Sequence, residues 1–459
     1  MSKVKEYASM TKDKLMIFTF IALLALAIIT IISWWGIVAI DVMTGEEMGW
    51  SLGLTLLGSV LIAVGIAVGI DVLISKVTVD SPLNLMSSAV FGLIVALSYS
   101  LGLPTMRVTE ILPLLAPEAF LYVALITTVG MVVFKELSGR KYVNPAAAAK
   151  LIVLIPSLST LLLPKDHLPG VADGLGIPSL AGPIGYGVGP IGNNGMASFV
   201  TYLAGCYSAP KAVIPAEVTQ NDIFSLMFLQ KYHGWPGGAS SLAVIIVGIA
   251  LFVIARRYIK WRITASYLVT VALMAVIMNF AYPGGDLMLR LMFELFIGSS
   301  IFLAFFMATD PATTPLTYTG QLIFGVGLGV LSVLIQAYMG FLGGSILALV
   351  VMNLTSPWLD RVGKMKPTAE KRTPKLPKAK QFATVKTTNC IRCGACMRVC
   401  CHNLSPILIK QAFDKTDVEK LAKLQADLCD GCGHCNFVCP ARIDLRGSIL
   451  RSKALLRGK

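Results

Sequence analysis

The residues with the clearest chemistry are eight cysteines near the carboxyl end of the chain, arranged in two matching runs. The runs are Cys390-x2-Cys393-x2-Cys396-x3-Cys400 and Cys429-x2-Cys432-x2-Cys435-x3-Cys439, the second followed by Pro440. Doubled spacing of this kind is the ligand pattern of two cubane iron–sulfur clusters, each taking three thiolates from one run and the fourth from the other. Zinc knuckles also use C-x2-C pairs, and a disulfide framework is a further alternative, but the doubled pattern favours clusters.

The spacing predicts two [4Fe–4S] sites that exchange their fourth ligands. The first set of ligands is Cys390, Cys393, Cys396 and Cys439. The second set is Cys429, Cys432, Cys435 and Cys400. The neighbouring Cys401 is predicted to be a bystander thiol that could serve as a ligand if Cys400 were lost. Because thiolates fill every iron position, such clusters conduct electrons and do not perform bond chemistry.

The elements that must hold these cysteines begin with a long apolar part, from Leu15 to about Leu359. The chain is 55% hydrophobic and 14% charged, and its mean hydropathy of +0.74 lies far outside the range of soluble globular proteins. A helix of roughly 20 residues spans a bilayer. The candidate spans are 15–40, 51–74, 83–103, 117–137, 143–163, 240–257, 262–280, 287–308, 320–339 and 342–359. We therefore predict an all-α polytopic membrane protein with about ten transmembrane helices and a C-terminal helical two-cluster ferredoxin domain.

Charge and proline content predict the domain organisation and the orientation. The predicted parts are a basic cytoplasmic tail, a membrane domain with a long outer loop at 165–239, a basic proline-containing linker, and a cytoplasmic ferredoxin domain, at 1–14, 15–360, 361–380 and 381–459. Basic residues in the tail and in the loops 135–141 and 256–262 put both chain ends in the cytoplasm by the positive-inside rule. That side suits thiolate-bound clusters, since it is reducing. The net charge of +14 is thus attributed to topology and contact with the lipid bilayer, and no nucleic acid is expected as a partner.

Two further features concern helices. Between the cysteine runs, Ser405-Pro406 and Thr416-x-x-Glu419 predict two helix starts. Placing an ionisable side chain near the centre of a membrane-spanning helix costs roughly 2.5–3.5 kcal/mol of insertion free energy. Asp71 and Glu294 are therefore candidates for an ion pathway. Alternatively, Asp71 reaches the membrane interface, and Glu294 pairs with Arg290 one turn away.

Three segments of the apolar part resemble motifs of a known family. Residues 142–146 (Tyr-Val-Asn-Pro-Ala) resemble a Phe-Asn-Pro-Ala segment, and residues 309–315 (Thr-Asp-Pro-Ala-Thr-Thr-Pro) resemble a Thr-Asp-Pro-x-Thr-Ser-Pro loop. Residues 352–361 resemble the carboxy-terminal helix end of the same family. Over roughly 15–361 the chain is similar to RnfD and NqrB, the ten-helix flavoprotein subunits of Rnf and Na⁺-translocating NADH:quinone reductase complexes. The tail is similar to the two-cluster segment of RnfC, without the NADH- and flavin-binding domains of that subunit.

The resemblance implies flavin cofactors. The family attaches FMN by a phosphodiester to Thr in a Ser-Gly-Ala-Thr motif, and the corresponding stretch here is Gly237-Gly238-Ala239-Ser240-Ser241. Ser240 falls on the acceptor position and keeps the required hydroxyl, with Gly238 and Ala239 beside it. The alternative is a tight turn and helix N-cap. A second, non-covalent flavin within the bundle would lie near Asn144, Thr309 and Asp310, which are also ordinary helix-terminus residues.

The implied function is that of a redox subunit of an ion-translocating oxidoreductase complex. A cytoplasmic ferredoxin or other low-potential donor would reduce the clusters, and electrons would pass through membrane-bound flavin towards an exported flavoprotein or cytochrome. Other membrane subunits of an Rnf-like complex are the expected partners, and coupling to Na⁺ or H⁺ transport is left open. The alternatives are a non-pumping electron conduit and a transporter or sensor with a redox-regulated ferredoxin tail. No nucleophile–base pair or nucleotide-binding glycine motif stands out, so no catalytic residue is assigned.

Overall fold

Most of the described chain is helical in the structure, which is a computed structural model. The described residues are 8, 10–36, 38–41, 47–77, 84–99, 103–107, 110–115, 119–137, 143–153, 235–281, 287–296, 300–339, 344–364, 366–372 and 387–457. Most of the predicted outer loop and the second half of the linker lie outside these residues.

The helices of the membrane domain follow the predicted spans. In chain order they are α1 (Lys12–Ser33), α2 (Leu52–Val77), α3 (Leu85–Ser98), α4 (Ala119–Val129), α5 (Pro145–Val153), α6 (Ser241–Ile254), α7 (Trp261–Ala281), α8 (Leu287–Phe296), α9 (Ser300–Phe302), α10 (Tyr318–Met339) and α11 (Gly344–Leu359). Among the described residues, four helices are long and apolar enough to cross a membrane, namely α1, α2, α7 and α10. The others are shorter, and the second half of the predicted fifth span is not described. The number of ten spans therefore stays a prediction.

Two of the helices change character at their carboxyl ends. The helix α4 continues as a π-helix over Gly130–Leu137, and α9 continues as a π-helix over Leu303–Met307. The predicted eighth span, 287–308, is thus divided between α8, α9 and this π segment. Because π turns are frequent at functional sites, the Leu303–Met307 segment is a candidate for a functional site.

A small sheet, which the sequence pattern did not predict, joins two of the loops. Its strands are β1 (Val38–Asp41), β2 (Glu47–Ser51), β3 (Leu103–Arg107) and β4 (Glu110–Leu115), in the order β2-β1-β4-β3. Both hairpins are antiparallel, and β1 pairs with β4 in parallel. The two hairpins follow α1 and α3. Their pairing therefore puts the carboxyl ends of α1 and α3 on the same side of the helices. The predicted topology assigns both ends to the outer side.

Small residues allow the helices to pack closely. A Cβ atom on Gly92 of α3 would lie 2.7 Å from the Ala63 carbonyl oxygen of α2. A Cβ atom on Gly325 of α10 would lie 2.7 Å from the Ile263 carbonyl oxygen of α7. Glycine at such crossings lets helix backbones approach each other, which is how membrane helices gain packing energy without a hydrophobic driving force.

The carboxy-terminal module contains five short helices around the two cysteine runs. They are α12 (Ala395–Arg398), α13 (Pro406–Asp414), α14 (Val418–Lys423), α15 (His434–Phe437) and α16 (Leu445–Arg457). The predicted start of α13 at Ser405-Pro406 is confirmed. The start of α14 is one residue later than predicted. Its cap is Asp417, whose side chain accepts from the Lys420 N–H, because Thr416 has a left-handed backbone with φ of 52°.

The module is docked on the membrane domain. The Ala8 N–H donates to the Phe437 carbonyl (2.9 Å), and the Lys12 N–H donates to the Pro440 carbonyl (3.0 Å). The Arg398 guanidinium donates to the carbonyl of Arg257, just after α6. These contacts involve the start of α1 and the end of α6, two places that the predicted topology assigns to the cytoplasmic side.

Candidate functional site

The cysteine side chains line two separate small cavities. The first cavity contains all of the predicted first ligand set, Cys390, Cys393, Cys396 and Cys439. The second contains all of the predicted second set, Cys400, Cys429, Cys432 and Cys435. The exchange of fourth ligands that the spacing predicts is therefore matched by the way the side chains are grouped.

The surroundings of the thiols fit iron–sulfur clusters. The N–H of Arg392 donates to Cys390 Sγ, and the N–H of Leu404 donates to Cys400 Sγ, each at 3.3 Å. Hydrogen bonds to the sulfurs are among the features that set the reduction potential of such clusters. Burial, followed by the neighbouring thiols, raises the pKa of Cys396 and of Cys435. Thiols buried in this way need a cationic centre to become thiolates, and iron would supply that charge.

Equivalent glycines shape the two cavities. Gly394 follows Cys393 with φ of 71°, and Gly433 follows Cys432 with φ of 82°. Each glycine caps the short helix that carries the third cysteine of its run, α12 or α15. The left-handed backbone that glycine adopts readily turns the chain around the cavity. The doubled sequence pattern is thus a doubled local structure.

The second cavity has two additional side chains at its edge. Cys401 Sγ lies 3.6 Å from Cys432 Sγ and 3.0 Å from His434 Nδ1. These three residues could together hold a metal ion. Because Cys401 lines the same cavity as Cys400, it is within the reach that a replacement ligand would need.

The first cavity lies against the membrane domain. Cys393 packs in one apolar cluster with Leu15 of α1 and with Ala255 and Tyr258 after α6. Leu316, in the loop before α10, packs in another cluster with Cys396. Each cavity has one exposed cysteine, Cys390 in the first and Cys432 in the second. What distinguishes the first site is the packing of its Cys393 against residues of the membrane helices.

Two of the three segments that carry the family resemblance are joined by a hydrogen bond, and the third contacts a residue two positions before one of them. The Asn144 side-chain amide donates to the Met307 carbonyl (3.3 Å), which joins the start of α5 to the end of the π segment after α9. The Ser356 hydroxyl donates to the Thr313 carbonyl (2.7 Å), which joins α11 to the loop before α10. The Leu316 N–H donates to Asp360 Oδ1 (2.7 Å).

A comparison with protein families decides the assignment of this part of the chain. The family model described as "NQR2, RnfD, RnfE family" matches residues 4–368. The chain belongs to this NQR2, RnfD, RnfE family. The predicted resemblance to RnfD and NqrB is thereby confirmed, and so is the prediction of a membrane protein. The eight cluster cysteines lie beyond the matched residues.

Similar proteins carry names that agree with the family. The chain is 31% identical, over 49% of its length, to a protein of the ion-translocating oxidoreductase complex of Stutzerimonas stutzeri, covering 62% of that protein. It is 34% identical, over 30% of its length, to a protein of the Na(+)-translocating ferredoxin:NAD(+) oxidoreductase complex of Acetobacterium woodii, covering 39%. It is 33% identical, over 31% of its length, to the proton-translocating counterpart of Clostridium ljungdahlii, covering 42%. The matched stretches thus span less than two thirds of each relative.

The family's flavin attachment segment lies in a tightly packed place. The carbonyl of Pro236 accepts from the Thr30 hydroxyl (2.8 Å), and Trp235 packs edge-on against Phe302. Ser240 is half-buried and caps α6, its oxygen accepting from the Ala243 N–H (3.3 Å). A phosphate ester at this oxygen would lie at a helix N-terminus, where backbone N–H groups and the helix dipole favour anions. Gly238 and Ala239 are buried beside Ser240, and FMN attachment at Ser240 stays a prediction.

Sequence reasoning missed a buried lysine near this segment. Lys150 of α5 is only 1% exposed, lies with Nζ 4.3 Å from the centroid of the Trp235 ring, and donates to the Ser98 carbonyl. A cation here suits a phosphate group on the neighbouring segment. The sequence feature that could have revealed it is a lysine inside an alanine-rich apolar span, where a charge is energetically unfavourable.

A second missed lysine holds the Thr309-Asp310 loop. Lys260 donates to the carbonyls of Pro311 (2.9 Å) and Thr314 (2.8 Å), and burial, followed by nearby Arg392, lowers its pKa to about 7. Among the predicted flavin residues, Thr309 donates to the Phe305 carbonyl, and Asp310 accepts from the Ala312 N–H. Asn144 caps α5 by accepting from the Ala146 N–H (3.1 Å). These three residues have local structural roles, and a role in flavin binding stays a prediction.

The two candidate ion-pathway residues lie on different helices. Asp71 of α2 is 6% exposed, and its Oδ2 accepts from the Asn84 N–H (3.0 Å) at the start of α3. It is therefore held by the start of the next helix, and whether it belongs to an ion pathway or to the membrane interface stays a prediction. Glu294 of α8 is 1% exposed. The side chain of Arg290, its predicted partner, lies outside the described residues.

An ion pair connects the first cavity to the membrane domain and yields a prediction. Arg392 and Asp360 form a buried pair, each with a side chain that is 9% exposed. Removing one partner of a buried pair costs about 3 kcal/mol or more. We therefore expect Asp360→Asn to loosen the docked module, raising the hydrogen-exchange rate of residues 387–400 by roughly 100-fold. Asp414→Asn, at the surface pair with Lys410, is the control and should change little. Equal exchange in both variants would contradict this role.

Proposed function

We propose that this chain is the membrane electron-transfer subunit of an Rnf/Nqr-like oxidoreductase complex. It would relay electrons from a cytoplasmic low-potential donor, through two [4Fe–4S] sites and membrane-bound flavin, across the membrane. The observation that carries the proposal is the buried ion pair between Arg392, which lines the first cysteine cavity, and Asp360, on the face of the membrane domain where the family's carboxy-terminal motif segment ends. A redox site fused to that face would connect the cytoplasm to the membrane domain.

The order of the two cavities supports entry at the second. Each cavity has one exposed cysteine, Cys390 or Cys432, but the first also has Cys393, which packs in an apolar cluster beside the membrane helices. The end of the module at the second cavity carries Asp430, which lies 2.9 Å from the ammonium of Lys371, and the middle of the linker is held there by the Arg372 N–H, which donates to the Cys401 carbonyl. We propose that the donor, a ferredoxin or a similar small protein, docks at this end. The relatives named for ferredoxin:NAD(+) oxidoreductase complexes support this class of donor.

Coupling to ion transport is part of the proposal, and the coupling ion is left unassigned. One relative is named as Na⁺-translocating and another as proton-translocating, so their names give no single ion. Of the two candidate residues, Asp71 already accepts a backbone hydrogen bond at a helix start. We therefore propose Glu294, deeper in the bundle, as the better candidate for an ion pathway.

The test uses the full chain with clusters and flavin, reconstituted in sealed vesicles that enclose an oxidised cytochrome. Reduced ferredoxin is added outside, and absorbance reports the trapped cytochrome. The proposal predicts that the cytochrome is reduced with the wild type and with Cys401→Ala, but not with Cys435→Ala. Clusters that become reduced while the cytochrome stays oxidised would contradict transmembrane relay. Dependence of the rate on Na⁺, or on a proton ionophore, would separate a coupled subunit from a non-pumping conduit.

A further inference from the structure

A basic cleft opens where the docked module meets the ends of the membrane helices. Its volume is about 560 Å³, within the range of small-molecule sites. Four arginines line it, three from the segment around the start of α7 and one from α12: Arg256, Arg257, Arg262 and Arg398. In the part of the chain that the structure describes, no acidic residue lines it. The cleft is therefore a site of concentrated and uncompensated positive charge.

The guanidinium groups are held by contacts that leave their charge without a counter-ion. Arg262 stacks on the Tyr318 ring, 3.7 Å from its centroid. Arg398 donates to the carbonyls of Cys393 (2.9 Å) and Arg257. The Nη1 atom of Arg257 is buried with no hydrogen-bond partner among the described residues. Burying a donor without a partner costs about 1–3 kcal/mol, and an anion that accepts from it would remove that cost.

The surface beside the cleft indicates what kind of anion binds there. At the end of α6, Val253 is 71% exposed and Ile254 is 53% exposed, and Leu322 of α10 is 47% exposed. Trp261, at the first position of α7, lines the cleft and is 39% exposed. Tryptophan is enriched at the membrane–water boundary. A charged pocket that continues into apolar helix surface fits an amphiphile whose head enters the pocket and whose chains follow the helices.

We propose that the cleft binds the phosphate headgroup of an anionic phospholipid. Basic pockets of this kind between helices on the cytoplasmic side suit such headgroups. The phosphate would accept hydrogen bonds from Arg256 and Arg262 of the membrane domain and from Arg398 of the module. The lipid would thereby hold the module on the membrane domain next to the first cavity. This inference is independent of which electron donor or ion the protein uses.

The test measures thermal unfolding of the full purified chain with three added probes. They are dioctanoyl phosphatidylglycerol, dioctanoyl phosphatidylcholine and inorganic phosphate. A ligand that binds only the folded protein raises its melting temperature, so phosphatidylglycerol should raise it saturably, and the other two probes should not. The double variant Arg256→Gln/Arg262→Gln should weaken phosphatidylglycerol binding by roughly 25-fold, or about 2 kcal/mol.

The matched control removes two exposed charges outside the cleft, with Arg361→Gln/Lys366→Gln. It should bind phosphatidylglycerol as the wild type does. An unchanged affinity in the cleft variant, or no effect of phosphatidylglycerol on the wild type, would overturn the proposal. An equal effect of inorganic phosphate would assign the cleft to a small phosphate and not to a lipid. If the cleft variant folds poorly, native mass spectrometry identifies the lipids that the wild type retains. Arg256→Lys then serves as the second variant.

Discussion

Cys439→Ala is expected to remove the same iron–sulfur cluster as Cys393→Ala, although Cys439 belongs to the other run. Iron should fall from about eight atoms per chain to about four in each variant. The reason is the grouping of side chains, since Cys439 lines the cavity of Cys390, Cys393 and Cys396. Low-temperature electron paramagnetic resonance of the reduced protein should show one and the same remaining cluster in both variants.

The complementary pair tests the other cavity. The double variant Cys400→Ala/Cys401→Ala, which also removes the neighbouring replacement thiol, and the single variant Cys435→Ala should leave the cluster that the first pair lacks, because Cys400 and Cys435 line the second cavity. Cys401→Ala is the control and should keep both clusters, as Cys400 remains in place. A remaining spectrum of Cys439→Ala that matches Cys435→Ala would show that each run keeps its own fourth cysteine, and it would contradict the exchanged arrangement.

The cysteine grouping could be predicted because it depends on local spacing. A run of C-x2-C-x2-C turns around one centre, and the glycines after Cys393 and Cys432 adopt the left-handed backbone that this turn uses. The long apolar spans were predictable for a similar reason, since length and hydropathy are read within one segment. The fourth cysteine of each group is more distant in the chain, and it is the doubled pattern that predicts its exchange.

The docking of the module could not be predicted, because its contacts join distant parts of the chain. The Arg442 guanidinium donates to the Ala8 carbonyl (3.2 Å), across a separation of 434 residues. No spacing rule relates such residues. The same holds for the pairing of β1 with β4 and for the hydrogen bond between Asn144 and Met307. The motif segments were recognisable separately, but the hydrogen bonds that connect them to distant residues are a property of the packed helices.

The cysteine module is placed at a defined position on the membrane domain. In the described residues, the module contacts the start of α1, the end of α6, the loop before α10 and Asp360 after α11. All four are places that the predicted topology assigns to the cytoplasmic side. Ser240, at the start of α6, is at the opposite end of the helix from Ala255 and Tyr258. A flavin at Ser240 and a cluster in the first cavity would thus lie at the two ends of one helix.

Ser240→Ala is expected to abolish covalent flavin, the second of the two largest effects. The hydroxyl oxygen is the only atom of this side chain that can form the phosphoester, and its loss leaves no acceptor at the position. The chain is co-expressed with a flavin transferase, denatured, and examined by in-gel flavin fluorescence. Wild type should fluoresce, and the variant should be dark. The lost N-cap bond to Ala243 should cost about 1 kcal/mol, which is too little to unfold the protein.

Two neighbouring variants make this result specific. Ser240→Thr keeps a hydroxyl at the same position and should stay fluorescent. Ser241→Ala removes the adjacent hydroxyl and should also stay fluorescent, because Ser241 lies within the first turn of α6 and is fully buried, whereas Ser240 is half-buried at the cap. Fluorescence that persists in Ser240→Ala and disappears in Ser241→Ala would move the attachment by one residue. A dark wild type would remove covalent flavin from the relay, and conduction past α6 would then require a non-covalent cofactor in the helical bundle.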